Sequence, residues 1–362
     1  MYSIIGAGIA GLSCSISLTE KNIAHEIFDK YSKNSPKAYG IQISPNASNI
    51  LRKLGVLEKI IPLMHKIETI KLISAKDEKL LTSLPIGKFS RERYHSDYYT
   101  ADRNILHESL RNLAEENKTP IKYNSEITST CVSEENVSIS INKNITHLTN
   151  TIILSSGINS QSLYPDTKKI LRKKYKFRAF RATLNKNKIA LKLERDTVNV
   201  WLGNSMHLVA YPIGADVVNF VLIAKEKYYN KIDKSIDGEN LPGTISKKIN
   251  ELISSIQWES WSLDENCMIR KNNFNLPIFS IGDSAHPMPP HLAQGAGMAL
   301  EDGYALAQIL ASNNTSEDMH REFYKKRFSR VNKVIRNANM NGEIFHLNGA
   351  LEHIRDIYLK NL

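Results

Sequence analysis

Cysteine is scarce: Cys14, Cys131 and Cys267 are the only three in 362 residues. An odd number so widely spaced supports neither a disulfide framework nor a metal-ligand cluster, so a reducing cytoplasm is the expected compartment and no metal is expected. Long apolar runs are also lacking. Residues 4–18 are apolar, but no basic segment precedes them and glycines interrupt them, unlike a secretory leader. Residues 207–224 are broken by Pro212, Gly214, Asp216 and Asn219, so no membrane span is expected. A basic stripe interleaved with aromatics is missing too: the formal charge is +11, but the cations are spread along the chain. That distribution argues against nucleic acid as a partner and leaves a positive field that favours small anions. What remains is an ordinary globular composition, 41% hydrophobic and 23% charged, in a chain long enough for more than one core.

The periodicity of the first 30 residues describes a βαβ unit: a short apolar strand at 2–5, a helix over 10–20 and a second strand at 23–28. Helices are expected over 46–57, where Ile50, Leu51 and Leu54 share a face, and over 103–114, where Leu106, Leu110 and Leu113 do so. Residues 67–84 and 121–154 read as strand-rich, and 176–224 as a separate sheet with strands at 198–202, 207–211 and 217–223. A short strand at 277–280 and a helix over 297–310 follow, and the chain beyond about 316 is helical and amphipathic.

Chemistry enters at Gly6-Ala7-Gly8-Ile9-Ala10-Gly11, which leaves a strand and opens a helix. Glycines at this spacing permit a tight turn and bring backbone N–H groups at a positive helix end close to a pyrophosphate. Asp29 closes the second strand about 20 residues on, where a carboxylate accepts hydrogen bonds from an adenosine ribose. An ordinary Gly-containing turn explains the glycines but not the placed acid. This motif alone fits either FAD or NAD.

A second run decides between them: Ile281-Gly282-Asp283-Ser284-Ala285-His286-Pro287-Met288-Pro289-Pro290, then Gln294-Gly295-Ala296-Gly297 and Glu301-Asp302. Here the chain resembles the group A flavoprotein aromatic hydroxylases, the family of para-hydroxybenzoate and salicylate hydroxylases, especially the salicylate and urate hydroxylase branch. The resemblance spans nearly the whole chain. It includes Gly40-Ile41-Gln42, Arg103 with Leu106 and Leu110, Trp201-Leu202-Gly203, residues 207–212, Asn219-Phe220-Val221 and the tail from Arg327 to Arg355.

That resemblance implies an α/β fold: a Rossmann-like FAD-binding domain with an inserted β-sheet substrate domain and a C-terminal helical segment. The expected division is 1–66, 97–165 and 267–315 for FAD, 67–96 and 166–266 for substrate, and 316–362 for the terminal helices. It implies FAD held by Gly6, Gly8, Ala10, Gly11, Asp29, Lys30, Gln42, Arg103, Gly157, Gly282 and Asp283, with Pro290, Gly295, Ala296 and Gly297 beside the isoalloxazine ring. It also implies NADH or NADPH as cosubstrate, binding transiently, and a monooxygenase that hydroxylates a small aromatic or heteroaromatic ring with O2 through a flavin C4a-hydroperoxide. A monomer or homodimer is expected.

His207 and Tyr211 are four apart on an expected strand and so share a face. The resemblance sets that face over the flavin, where a histidine assists deprotonation of a phenolic substrate; an imidazole suits that proton transfer. A plain interior histidine is the competing reading. Arg181 fits a substrate carboxylate bidentately or is a surface cation, and Pro290 and His291 fall where substrate contact is expected. His286 reads as a residue without a chemical role. Where the family has an Asp-Gly pair, this chain has Ser156-Gly157; serine hydrogen-bonds without charge, which keeps flavin binding and bears on the reduction step. Other readings are a hydroxylase of a polyprenylated phenol or of a tetracycline-like polycycle, and, in a different class, an FAD-binding accessory protein without productive turnover.

Overall fold

The computed structural model describes residues 1–34, 39–133, 137–163, 173–189, 191–228, 245–265, 276–312 and 315–360. Five parallel strands form one sheet, in the order Ile278–Ser280, Thr151–Leu154, Tyr2–Ile5, His25–Phe28 and Ile121–Lys122. The three inner strands are covered on both faces: Ile4, Ile27, Ile152 and Ile153 are fully buried, and the polar Ser3 and Glu26 are buried beside them in a hydrogen bond to each other. Register aligns their ends: Ile5 pairs with Leu154 and with Phe28, and Leu154 with Ser280. Gly6, Asp29, Ser155 and Ile281 therefore leave the sheet along one carboxyl edge, the place where open α/β sheets bind ligands. The helix Ile9–Glu20 lies between this sheet and the helix Gly295–Leu310. Their backbones approach so closely at Gly303 that a Cβ there would sit 2.6 Å from the Ala10 carbonyl oxygen and the Cys14 nitrogen.

A seven-stranded sheet holds the second layer, in the order Glu259–Glu265, Lys173–Asn185, Val217–Lys225, Met206–Pro212, Thr197–Gly203, Thr69–Ser74 and Leu80–Leu84. Its neighbours are antiparallel except Thr197–Gly203 with Thr69–Ser74. The two-residue period of a strand sorts its side chains. Phe180, Leu208, Phe220 and Leu222 enter a core covered by Ile249 and Ile253 of the helix Lys247–Ser255. Their neighbours Arg181, His207, Val209, Val221 and Ile223 point the other way, toward the carboxyl edge of the parallel sheet.

One local expectation needs correction, and one helix was not expected. The helix expected over 46–57 is two pieces, Pro45–Lys53 and Leu57–Ile60. Gly55 has φ +70° and ends the first piece in a Schellman turn: Gly55 N donates to the Arg52 carbonyl and Val56 N to the Leu51 carbonyl. A helix at Ile86–Tyr94, with only Gly87 and Ser90 buried, has no counterpart in the sequence pattern. The C-terminal segment is helical as expected, Ser316–Phe345 and Ala350–Lys360. The expected boundaries at 165/166 and 266/267, and Cys267, lie outside the described residues. No described helix is long and apolar enough to cross a membrane.

Candidate active site

The carboxyl edge of the parallel sheet and the inner face of the seven-stranded sheet enclose a cleft of about 1340 Å³. Its first wall is the glycine turn. Gly6 has φ +107°, and a Cβ there would lie 2.8 Å from the Ser155 carbonyl oxygen; one on Gly11 would lie 2.1 Å from the Gly6 oxygen. Ser155 fixes the turn by donating its hydroxyl toward the Ile5 and Gly6 carbonyls (2.9 and 2.8 Å), and His107 Nε2 contacts the Ala7 oxygen at 2.7 Å. The helix then opens at Gly8 with no side-chain cap and no acid in its first turn, so its N–H groups keep their capacity for an anion. Asp29 Oδ2 accepts from Ala7 N (2.7 Å) and Oδ1 from Tyr31 N (2.8 Å). One carboxylate thus ties the turn to the second strand while keeping further lone pairs toward the cleft.

The second wall is the segment after Ile278–Ser280. Gly282, at φ +60°, donates its N–H to Asp302 Oδ2 (2.8 Å), which also pairs with His286 Nε2; Arg327 Nε reaches Asp302 Oδ1 at 2.6 Å. Burial alone would raise the Asp302 pKa, but His286 and Arg327 outweigh it and hold it at about 2. Burial likewise opposes the charged form of His286, and Asp302 overcomes this and raises it. Glu301 extends the network to Arg327 Nη1 (2.6 Å), Arg330 Nη2 (2.8 Å) and Asn46 Nδ2 (2.8 Å). His286 is therefore a buried ionic tie rather than a group facing the cleft, and the helix Ser316–Phe345 braces the Gly282-Asp283 turn through Arg327.

These walls fit FAD. Arg103 Nε is buried with no hydrogen-bond partner among the described residues, and burial and the nearby Arg181 charge depress the Arg103 pKa. A bound anion would relieve both. Asp283 lines the same cleft; the surrounding protein raises its carboxyl pKa, and the His286, Arg103 and Arg181 charges offset this only in part. Asp283 is solvent-exposed in the open cleft, so its oxygens can accept hydrogen bonds from donors such as ribityl hydroxyls.

The third wall comes from the antiparallel sheet. His207 is 2% exposed, and its Nδ1 lies 2.8 Å from His346 Nε2. Burial chiefly, then His346 and His291, push its pKa well below the usual imidazole value, so it is neutral. Tyr211 is hydrogen-bonded to Gln42, and Gln42 Oε1 accepts from Tyr98 at 2.7 Å. With its oxygen engaged by Tyr98, Gln42 offers its NH2 to Tyr211, leaving the Tyr211 proton for another acceptor. The Arg181 guanidinium lies 5.3 Å from the centroid of the Trp261 ring, whose neighbour is Tyr39 at 5.2 Å.

Of the residues singled out from sequence, Gly6, Gly8, Ala10, Asp29, Lys30 and Gly157 line the cleft on the turn side. Asp283, Pro290, Gly295 and Ala296 line it on the second wall, and Gln42, Arg103, Arg181, His207 and Tyr211 complete it. Four others do not line it. Gly11 packs behind the turn, Gly282 lies against Ala10 and Ala299, Gly297 lies against Asn46, and His291 is buried beside His207 and His346 with ring centroids 5.3 and 5.4 Å away. Ser156 lines the wall beside Gly157. Tyr98 and His346 carry no sequence signal for the site; each sits at the end of an element remote in the chain and reaches it only through tertiary packing.

Comparison with known proteins agrees with this geometry. Residues 2–338 match the family described as "FAD binding domain". The chain is 27% identical to 3-amino-4-hydroxybenzoate 2-monooxygenase PtmB3 of Streptomyces platensis, over 98% of this chain and 91% of that protein. It is 23% identical to 3-hydroxybenzoate 6-hydroxylase of Polaromonas naphthalenivorans, over 98% and 90%. Its fold is that of Klebsiella pneumoniae HpxO solved with FAD and uric acid (TM-score 0.80, 17% identity, 100% and 93% of the two chains). It is also that of a salicylate hydroxylase substrate complex (TM-score 0.76, 17% identity, 100% and 92%). The chain belongs to the FAD binding domain family, and FAD is its cofactor.

Proposed function

We propose that the protein is an FAD-dependent monooxygenase that hydroxylates a small phenolic or heteroaromatic acid with NADH or NADPH and O2. The observation that carries this reading is a neutral, buried imidazole, His207, on the same cleft as the Arg103–Asp283 pair and the uncapped helix at Gly8. When bound, FAD would supply the redox chemistry by which NAD(P)H and O2 yield a hydroxylated ring, NAD(P)+ and water.

The chain's own residues do the rest. Arg103 and the first turn of the helix Ile9–Glu20 take the pyrophosphate; Asp283 and Asp29 accept hydrogen bonds from ribityl and ribose hydroxyls; Lys30, Gln42 and Gly157 border the same cofactor. Pro290, Gly295 and Ala296 form the bare wall against which the ring system rests, with Gly11, Gly282 and Gly297 giving that wall its close packing. Arg181 pairs with the substrate carboxylate. His207 removes the phenol proton, raising electron density on the ring, and Tyr211 donates a hydrogen bond that orients the substrate oxygen. His291 shapes the substrate end through His207 rather than by lining it. Val209, Val221 and Ile223 exclude water from the reacting face. The division into an FAD domain and an inserted substrate domain, and a cytoplasmic setting, belong to this reading.

The test is a panel of hydroxybenzoates, hydroxypyridine acids and purines assayed with FAD-loaded protein for stimulated NAD(P)H oxidation and hydroxylated product. A stimulated rate with product supports the proposal. A yellow protein that forms no product with any of them removes it and favours a flavin-binding role without turnover, the reading that uncharged Ser156 on the cleft wall would then support.

A further inference from the structure

Behind His207 lies a residue from the far end of the chain. His346 caps the helix Ser316–Phe345, its N–H bonded to the Gly342 carbonyl at 3.2 Å, and the cap turns its ring inward. Phe177 stacks on that ring (centroids 4.1 Å apart, planes 16° apart), and Phe345 meets His207 edge-on at 5.3 Å. Both imidazoles are thus clamped by aromatic rings, with His207 Nδ1 and His346 Nε2 at 2.8 Å.

Two neutral imidazoles share one proton across such a bond, and its owner decides what His207 presents to the cleft. If His346 donates, His207 carries its own proton on Nε2 and cannot accept one from a phenol. If His207 Nδ1 donates, Nε2 is an open lone pair. From this arrangement we infer that His346 is the positioning residue of the site: its Nε2 accepts the His207 Nδ1 proton, which fixes the tautomer and ring angle that leave His207 Nε2 as the base toward the substrate.

The surroundings of His346 keep its ring neutral, which leaves one ring nitrogen able to accept. Burial, then His291 of the turn Pro290–Leu292, Lys225 at the end of Val217–Lys225 and Arg355 of Ala350–Lys360 push its pKa to about 3. It therefore holds no second proton near neutrality. When His207 takes the phenol proton at Nε2, its Nδ1–H stays bonded to His346 Nε2, which holds the ring angle fixed through the transfer. The C-terminal helices are then part of the catalytic layout and not only a brace for Asp302.

This inference rests on the reading of His207 as the base, and two measurements separate them. In FAD-loaded protein with nitrogen-labelled histidine, the His207 signal is identified by its loss in His207→Ala. The wild type is expected to show Nδ1 protonated and Nε2 bare, and His346→Leu to show protonation shifted onto Nε2 in a substantial fraction. A His207 protonated on Nε2 in the wild type, or a tautomer unchanged in His346→Leu, overturns the inference. With 3-hydroxybenzoate as probe, His346→Leu is expected to lower kcat about tenfold or more at neutral pH. The deficit should shrink as pH approaches the phenol pKa, about 10, where the substrate ionises unaided. His346→Gln, which restores an acceptor near the Nε2 position, is expected to recover most of the loss. Equal, pH-independent losses in both variants would mark His346 as merely structural and overturn the inference. If His207→Ala hydroxylates the probe at the wild-type rate, the base reading fails, whatever the tautomer.

Discussion

Replacing Asp302 with asparagine is the perturbation whose cost the structure specifies most closely. The Asp302 side chain is 1% exposed and serves three partners at once: the Gly282 N–H, His286 and Arg327. Asparagine keeps the size and one acceptor, so the Gly282 bond survives, but two buried cations lose their counter-charge. Removing one partner of a buried ion pair costs roughly 3–5 kcal/mol. His286, whose raised pKa depends on Asp302, can shed its proton, whereas Arg327 retains Glu301 at 2.6 Å. Both outlets relieve part of the penalty, which places the expected loss near the lower end, about 3 kcal/mol, against a total stability of about 5–15 kcal/mol for a typical domain. Urea unfolding of the apoprotein measures it. The sign with pH follows from the two groups. Asp302, held at about 2, contributes stability that is present above the unfolded carboxylate pKa and is lost as pH falls through its folded value. His286, raised, contributes stability that is fully present below the unfolded imidazole pKa and is lost as pH rises through its folded value. Asp302→Asn should therefore flatten both limbs of the stability profile, and His286→Asn on that background should add little. A loss under about 1 kcal/mol, or fully additive single variants, would refute the network as described.

Other positions carry sharp expectations. Gly6→Ala places a Cβ 2.8 Å from the Ser155 oxygen at φ +107°, so the variant should purify with little bound FAD, read from its visible spectrum against protein content. Arg181→Met should raise KM for a carboxylate-bearing substrate by about 10- to 100-fold, the worth of a charge-assisted pair, and leave the same ring without a carboxylate unaffected. His207→Ala should keep FAD and lose about 100-fold or more in hydroxylation at neutral pH, with recovery at alkaline pH in a stopped assay of product. Ser156→Asp should speed anaerobic flavin reduction by NAD(P)H if a charge at that wall governs the step; an unchanged rate would show that the cleft compensates for serine.

The glycine turn, Asp29 and the Gly282-Asp283 run were legible because each is local: a strand, a φ that only glycine takes easily, and a helix start follow one another in sequence. The inward face of Met206–Pro212 was legible for the same reason, since a period of two sets His207 and Tyr211 together. The break at Gly55 was missed because the apolar spacing of Ile50, Leu51 and Leu54 runs through the Schellman turn that ends the helix. The helix Ile86–Tyr94 was missed because its exposed face carries Phe89 and Tyr94 and blurs the amphipathic pattern. Asp302 closes the run that begins at Ile281, but its role, like those of Tyr98 and His346, lies beyond any local rule. Their roles arise from partners 16 to 139 positions away, such as His286 for Asp302 and His207 for His346.

Isotope-labelled dioxygen tests the central claim most directly. FAD-loaded protein turning over a phenolic or heteroaromatic acid with NADH or NADPH should yield product carrying one labelled oxygen on the ring, in step with the nucleotide consumed. Unlabelled product, or nucleotide oxidation that ends wholly in hydrogen peroxide across the substrate panel, would contradict it.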